Sequence, residues 1–374
     1  DAALRDLNDL VALPGGSSRD VSRWNDVLTS SRTASKALDD AEAALGAADR
    51  ARATLQIDIA SNALGDAADV HRPRRLAARL DDLSRRLTDL APEPEIPTSE
   101  PAPGGGELAP LFDRVAYRSL TTREAEVVVH AAMDHWPQVF AAFTAPRIER
   151  FGAKTYAHRL GVFVHRKTGL EFCLVPGGMA KLGSPNSEGS RKSNETRYEF
   201  ELAPLLVARH ELIEGVYSGR GGRLPVENVS WKDANAWCLA QGLELPTEAQ
   251  WEWAARGGRL TPYATGSKLD QGDANVGGSA RKTVGSYDAN GFGLFDVHGN
   301  VWEWCRDGFQ DRAAPQGVDD GLRAEVGAMR PIRGGSWGET IESARCAKRG
   351  GVTAGQAKGR LGFRPVVTLR RSDS

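Results

Sequence analysis

The chain has 374 residues, with 48 Lys plus Arg against 49 Asp plus Glu, so its formal charge of −1 gives no reason to expect a nucleic-acid or membrane-surface partner. Hydrophobic residues make up 40%, enough for packed cores in two or three domains. No apolar run approaches the ~18–20 residues that span a bilayer and no signal-peptide core is visible, which points to the cytoplasm. The sequence starts at Asp1 without a Met, as a fragment with an upstream leader or domain would.

Residues 1–90 are rich in Ala, Leu, Asp and Arg and are expected to be helical. Leu76, Leu80, Leu83, Leu87 and Leu90 step by four and three, an apolar seam of two heptads. Leu38, Leu45 and Ile59 fall on a seven-residue spacing, with Ala41, Ala48 and Leu55 between them. Gly65 and His71-Arg-Pro73 interrupt the pattern, so a helical hairpin or coiled-coil-like bundle is predicted. Residues 91–106 carry five prolines and end in three glycines, the composition of a semi-rigid linker. A short helical region is expected over 107–155, with a helix N-terminus at Thr122–Glu126 and a break or new start at Pro137.

Beyond residue 156 glycine and tryptophan become frequent and periodicity fades. Two helices stand out. One is capped by Ser230 and ends at Gly242; the other is capped by Thr247, with Gln250 three residues on, and closes at Gly257-Gly258. Trp231, Trp237, Trp251 and Trp253 are expected to pack these helices onto a small sheet. The four cysteines, Cys173, Cys238, Cys305 and Cys346, are widely separated, which predicts buried thiols rather than a disulfide framework or a zinc site.

Seven blocks then appear in a fixed order: Phe172-Cys-Leu-Val-Pro-Gly-Gly178, Val229-Ser-Trp-Lys-Asp-Ala234, Leu245-Pro-Thr-Glu248, Asn290-Gly-Phe-Gly-Leu-Phe-Asp296, Gly299-Asn-Val-Trp-Glu-Trp304, Arg333-Gly-Gly-Ser-Trp337 and Gly362-Phe-Arg364. Over roughly residues 165–370 the protein resembles the sulfatase-modifying-factor, or formylglycine-generating enzyme, domain family. The resemblance implies an α+β, formylglycine-generating-enzyme-like (C-type lectin-related) domain over 156–374, preceded by the helical region. The bacterial members of that family set the expectation of a bacterial protein.

Enzymes of that family oxidise a cysteine with copper held by two cysteines just after the Gly-Gly-Ser block. Counted from Ser336 without gaps, those positions are Glu339 and Ala344, and the nearby Cys346 stands alone. Copper(I) needs paired soft thiolates, so no copper is expected. A sulfoxide-synthase branch binds iron through a His-x3-His-x-Glu helix. Here His130 and His135 are five apart, about 140° around a helix, and no iron is expected. Gly334-Gly-Ser-Trp-Gly338 has the form of a hydrolase nucleophile elbow, but the last histidine, His298, precedes Ser336 where that mechanism needs one after it.

The resemblance implies one structural calcium, ligated by the Asp296 and Glu303 carboxylates and the Gly299 and Val301 carbonyls, a hard-oxygen set suited to the ion. A metal-free turn with Glu303 paired to Arg333 or Arg364 is the competing reading. A second family site, after Ala274-Asn275, has lost its later acidic ligand. Trp302, Ser336 and Trp337 correspond to the family's substrate cleft. With Glu339, Arg345 and Arg349 they form the expected ligand-binding face, Arg345 and Arg349 being also candidates for structural ion pairs. These readings combine into a non-catalytic recognition or scaffolding protein. It would bind a protein or peptide through its C-terminal domain, and a partner or its own copy through the N-terminal helices. A divergent metal-dependent oxidase or hydroxylase using Cys346 or Glu339 is the runner-up.

Overall fold

The computed structural model describes residues 106–152, 157–220, 222–310, 317, 319–323, 327–357 and 359–370, with scattered helical positions between 35 and 42 and between 78 and 86. The described residues fall into two compact units, Asp1–Glu100 and Pro101–Ser374. In the first, Leu38, Ala41 and Leu83 are buried, and Arg79 pairs with Asp39 at 2.7 Å and Glu42 at 2.5 Å. The remaining seam residues expected there, including Leu45, Leu55, Ile59, Leu76, Leu80, Leu87 and Leu90, lie outside the described residues, as does the linker up to residue 105.

The second unit begins earlier than the sequence suggests. A 3-10 turn at Ala109–Phe112 and helix α1 (Arg114–Arg118) lead to α2 (Thr122–His135) and the single turn α3 (Pro137–Phe140). Thr121 caps α2 in a reciprocal box with Glu124, and Pro137 opens α3, where a missing N–H costs nothing. Ala125, Val128, Val129 and Ala132 of α2 are buried. They lie over β2 (His158–Val164), where Gly161 makes room: a Cβ there would stand 2.9 Å from Val129 Cγ2. Strand β1 (Arg147–Phe151) pairs with β2, and buried Trp136 donates its indole N–H to the Arg370 carbonyl, 234 residues away, at 2.9 Å. The boundary expected near residue 156 is therefore corrected. Residues 107–151 are built into the domain because its main sheet needs their helix to cover one face and their strand to extend its edge.

That sheet has the order β1-β2-β3-β6-β11, with β3 at Glu171–Val175, β6 at Leu205–Ala208 and β11 at Val366–Thr368, all antiparallel. Strands β3 and β6 read as continuous apolar runs because both their faces are buried. A two-stranded ribbon joins β4 (Gly178–Leu182) to β5 (Tyr198–Leu202). A second sheet runs β10-β7-β8-β9, with β7 at Trp302–Trp304, β8 at Met329–Arg333, β9 at Gly350–Thr353 and β10 at Leu361–Gly362. Its β7–β10 pairing is parallel.

After the short helix α4 (Glu214–Ser218), the two capped helices form as predicted. Ser230 caps α5 (Trp231–Gln241), which ends on left-handed Gly242, and Thr247 caps α6 (Glu248–Arg256), which ends on left-handed Gly257. Trp231, Trp251 and Trp253 are buried, while Trp237 packs half-buried against Phe363. All nine residues of α6 are buried, charged ones included. Glu248 meets Arg323, Arg333 and Arg349 at 2.8, 2.9 and 2.6 Å, and Glu252 meets Arg256 and Arg333 at 2.6 and 3.0 Å. Buried charges persist only when paired and hydrogen-bonded, so this helix is an ionic spine within an apolar core.

Candidate functional site

The Gly-Asn-Val-Trp-Glu-Trp stretch places the candidate site on β7 and the turn before it. Gly299 (φ +82°) admits no side chain, since a Cβ would lie 2.3 Å from the Asn275 carbonyl oxygen. Asn300, also left-handed at φ +57°, ties the turn together. Its amide donates to Glu211 Oε2 at 2.6 Å, and its Oδ1 accepts from Asn275 Nδ2 at 3.0 Å and Lys282 N at 2.9 Å. Glu211 also accepts from Val301 N at 3.0 Å. Burial, reinforced by Asp296 and Glu303, pushes the Glu211 carboxyl well above the usual range.

Two backbone contacts collect the expected ligand-binding residues. Trp337 N donates to the Asn300 carbonyl at 2.8 Å, and Trp302 N donates to the Arg360 carbonyl at 2.7 Å. Trp302, Trp337 and Glu339 thus belong to one region of the surface, each half-buried, while Ser336 lies fully buried beside them in the chain. Arg360 joins them: its guanidinium carbon lies 4.3 Å from the Trp337 ring centroid. Ser336 Oγ and Trp337 Nε1 are buried without a hydrogen-bond partner.

Arg345 and Arg349 do not belong to this face, and their placement on the ligand surface is corrected. Arg345 turns inward to Glu188 at 2.7 Å and Glu195 at 2.8 Å, with a further bond to the Ser190 carbonyl at 2.8 Å. Arg349 forks onto Glu248 with two bonds of 2.6 Å and donates to the Asn194 carbonyl at 3.1 Å. Both are structural ion pairs, the second of the two roles weighed for them.

The two carboxylates expected to hold calcium already have protein partners. Glu303 Oε1 accepts from Arg364 Nη2 at 2.7 Å, and Oε2 accepts from Arg364 Nε at 3.1 Å and Trp251 Nε1 at 2.7 Å. Its charge is already matched, and Arg364 is held in place by the Ala208 and Phe295 carbonyls at 3.1 and 2.8 Å. Asp296 Oδ2 accepts from Gly285 N at 2.6 Å. Among the described residues no cluster of three or more His, Cys, Asp or Glu side chains is placed to hold a metal. In the described geometry the Glu303 carboxylate is matched by Arg364, the competing arrangement weighed for the turn that carries Asp296, Gly299, Val301 and Glu303.

The two positions that the resemblance aligns with copper ligands carry a carboxylate and a methyl group. Glu339 donates its N–H to the Ser336 carbonyl at 3.0 Å and accepts at its own carbonyl from Gly277 N at 2.8 Å. Ala344 is buried, its carbonyl taken by His298 Nδ1 at 2.7 Å. Cys346 is also sealed in the core, where burial pushes its thiol up to about 12 and keeps it protonated.

A polar groove of about 730 Å³ lies between Arg150, Arg259, Asp273, Tyr287, Asp288 and His298, with Asp296 also on its wall. His298 cannot serve there as an acid or base near neutrality. Its Nε2 accepts from Ala264 N at 2.9 Å, its Nδ1 donates to Ala344, and burial pushes it down to about 4.

Residues 163–369 match the Sulfatase-modifying factor enzyme 1-like domain. A serine/threonine-protein kinase pkn1 of Chlamydia caviae is 35% identical over 184 residues, 46% of this chain and 29% of the kinase. An inactive C-alpha-formylglycine-generating enzyme 2 of Mus musculus is 38% identical over 168 residues, 40% of this chain and 50% of that protein. The chain thus spans half or less of the length of these relatives. PvdO from Pseudomonas aeruginosa superposes with a TM-score of 0.51 at 25% identity, covering 56% of this chain and 98% of that one. The match spans more than half of the sequence, and the chain belongs to the sulfatase-modifying factor enzyme 1-like family.

Proposed function

We infer that this chain is a non-catalytic recognition or scaffolding protein whose family domain binds a peptide or protein at the face carrying Trp302, Ser336, Trp337 and Glu339. The observation that carries the reading is the chemistry at the copper positions. They hold a carboxylate and a methyl group, and the nearest thiol, Cys346, is buried and protonated. A redox ion that prefers paired soft ligands has none here. A mouse relative described as inactive supports the view that this family's fold persists apart from its oxidative chemistry. In this reading residues 1–90 dock to a partner protein or to a second copy.

The test is metal content and oxygen uptake by the purified protein in the presence of a cysteine-containing peptide. Substoichiometric copper and iron with no uptake above background is the expected result. Stoichiometric copper with peptide-dependent oxygen consumption would instead establish a divergent oxidase or hydroxylase built on Glu339 and Cys346.

A further inference from the structure

We propose that Arg360, stacked on Trp337, is the specificity determinant of the cleft and selects a ligand carrying a peptide carboxylate, from either an acidic residue or the free C-terminus of the peptide. The proposal rests on the recognition reading above and narrows it to a ligand chemistry.

Most arginines of this domain that lie near the cleft in sequence are spent internally: Arg345, Arg349 and Arg364 on buried glutamates, and Arg281 on Glu214 at 2.8 Å and Glu227 at 3.4 Å. Arg360 is different. Its guanidinium is half-buried over the indole, yet that group makes no hydrogen bond or ion pair with any described residue. Five N–H donors in a planar fork are thus held in place by stacking, with no protein acceptor among the described residues.

Three further features point the same way. Ser336 Oγ and Trp337 Nε1, in the same segment, are also buried without a hydrogen-bond partner among the described residues. Arg360 occupies a left-handed backbone conformation at φ +71°, where glycine would be at ease and a long side chain is not. Gly338 lies directly against the guanidinium, and a Cβ there would fall 2.3 Å from Arg360 Nη1. Backbone strain at 360 and the bare residue at 338 together put the fork over Trp337.

The charge fits a monoanion. A planar carboxylate matches one guanidinium in a bidentate pair, whereas a phosphate dianion calls for several cations. Glu339, two residues beyond Trp337, adds a negative charge that repels a dianion about twice as strongly as a monoanion. Half-buried Trp302, bonded through its N–H to the Arg360 carbonyl, offers apolar contact for the rest of a peptide.

The experiment is a titration of the full-length protein followed by the Trp337 indole and Arg360 guanidinium NMR signals. The probes are N-acetyl-glutamate α-amide, N-acetyl-glycylglycine, N-acetyl-glutamine α-amide and inorganic phosphate. Both carboxylates, or one of them, are expected to give saturable shifts in the millimolar range, with the uncharged amide and phosphate giving none. The stronger carboxylate identifies acidic residue or C-terminus as the source.

Arg360→Gly, which relaxes the backbone, is expected to fold normally and to weaken binding about tenfold or more. Gly338→Ala keeps the charge but displaces the fork, and is expected to weaken binding as well. Saturation by neither carboxylate up to ~50 mM, equal binding by Arg360→Gly, or a preference for phosphate would each overturn the proposal. Copper and oxygen uptake measured on the same samples separate this failure from failure of the recognition reading, because carboxylate binding requires no metal.

Discussion

Replacing Glu248 by Gln tests whether the ionic spine, rather than apolar packing alone, holds the domain together. The carboxylate is fully buried and faces three arginines. Desolvation opposes its charge, but Arg333, Arg349 and Arg323 outweigh it and bring its pKa down to about 2 from 4.5. In Glu248→Gln, Arg333 keeps Glu252 and Arg323 keeps Asp307 at 3.9 Å, but Arg349 loses the carboxylate onto which it forks with two bonds of 2.6 Å. Breaking a buried ion pair from one side costs about 3–5 kcal/mol.

At ~2–4 °C per kcal/mol for a domain of this size, the melting temperature should fall by about 6–20 °C at pH 7. The sign with pH follows from linkage. The depressed pKa stabilises the fold fully above the unfolded value near 4.5, and this is lost as pH drops toward 2. The wild-type advantage should therefore be about 2 kcal/mol smaller at pH 3 than at pH 7. Asp307, pushed up to about 6 by burial and in part by Glu248 itself, titrates in the opposite sense at higher pH, so removing Glu248 relieves it and narrows the gap somewhat at pH 7. Urea unfolding of both at each pH measures it. A cost under about 1 kcal/mol at pH 7, or a gap unchanged at pH 3, would refute the reasoning.

Arg345→Ala leaves Glu188 and Glu195 buried without their cation, and should cost about 3 kcal/mol or more in urea unfolding while leaving carboxylate-probe binding unchanged. Weakened binding with intact stability would return Arg345 to the ligand face. Calcium at millimolar concentration should leave the melting temperature unchanged, since Glu303 is already matched by Arg364; a rise of several degrees would restore the calcium site. Cys346, with its thiol near 12, should resist iodoacetamide in the native protein and react only on unfolding, as mapped by peptide mass spectrometry.

The parts of this molecule legible in the sequence share one property, that their determinants are local. Ser230 and Thr247 cap helices through N–H groups three residues away, and Gly242 and Gly257 end those helices by accepting left-handed angles. The motif blocks, each short and contiguous, were enough to identify the scaffold. What failed was periodicity. Helix α6 shows no exposed face because all nine of its residues are inside, and residues 107–151 read as a separate region although their helix and strand complete the main sheet.

From the sequence alone, then, come the family, the capped helices and the loss of the copper thiols, because adjacent residues decide each of them. The three-dimensional structure decided which charges face the solvent and which face one another. Arg345 finds Glu188 across 157 residues, Arg349 finds Glu248 across 101 and Arg364 finds Glu303 across 61, while Arg360 is left over an indole with its donors unused. A guanidinium reads the same in every sequence window. Its role depends on which carboxylate the fold brings within about 3 Å, and that choice exists only after the polypeptide has closed on itself.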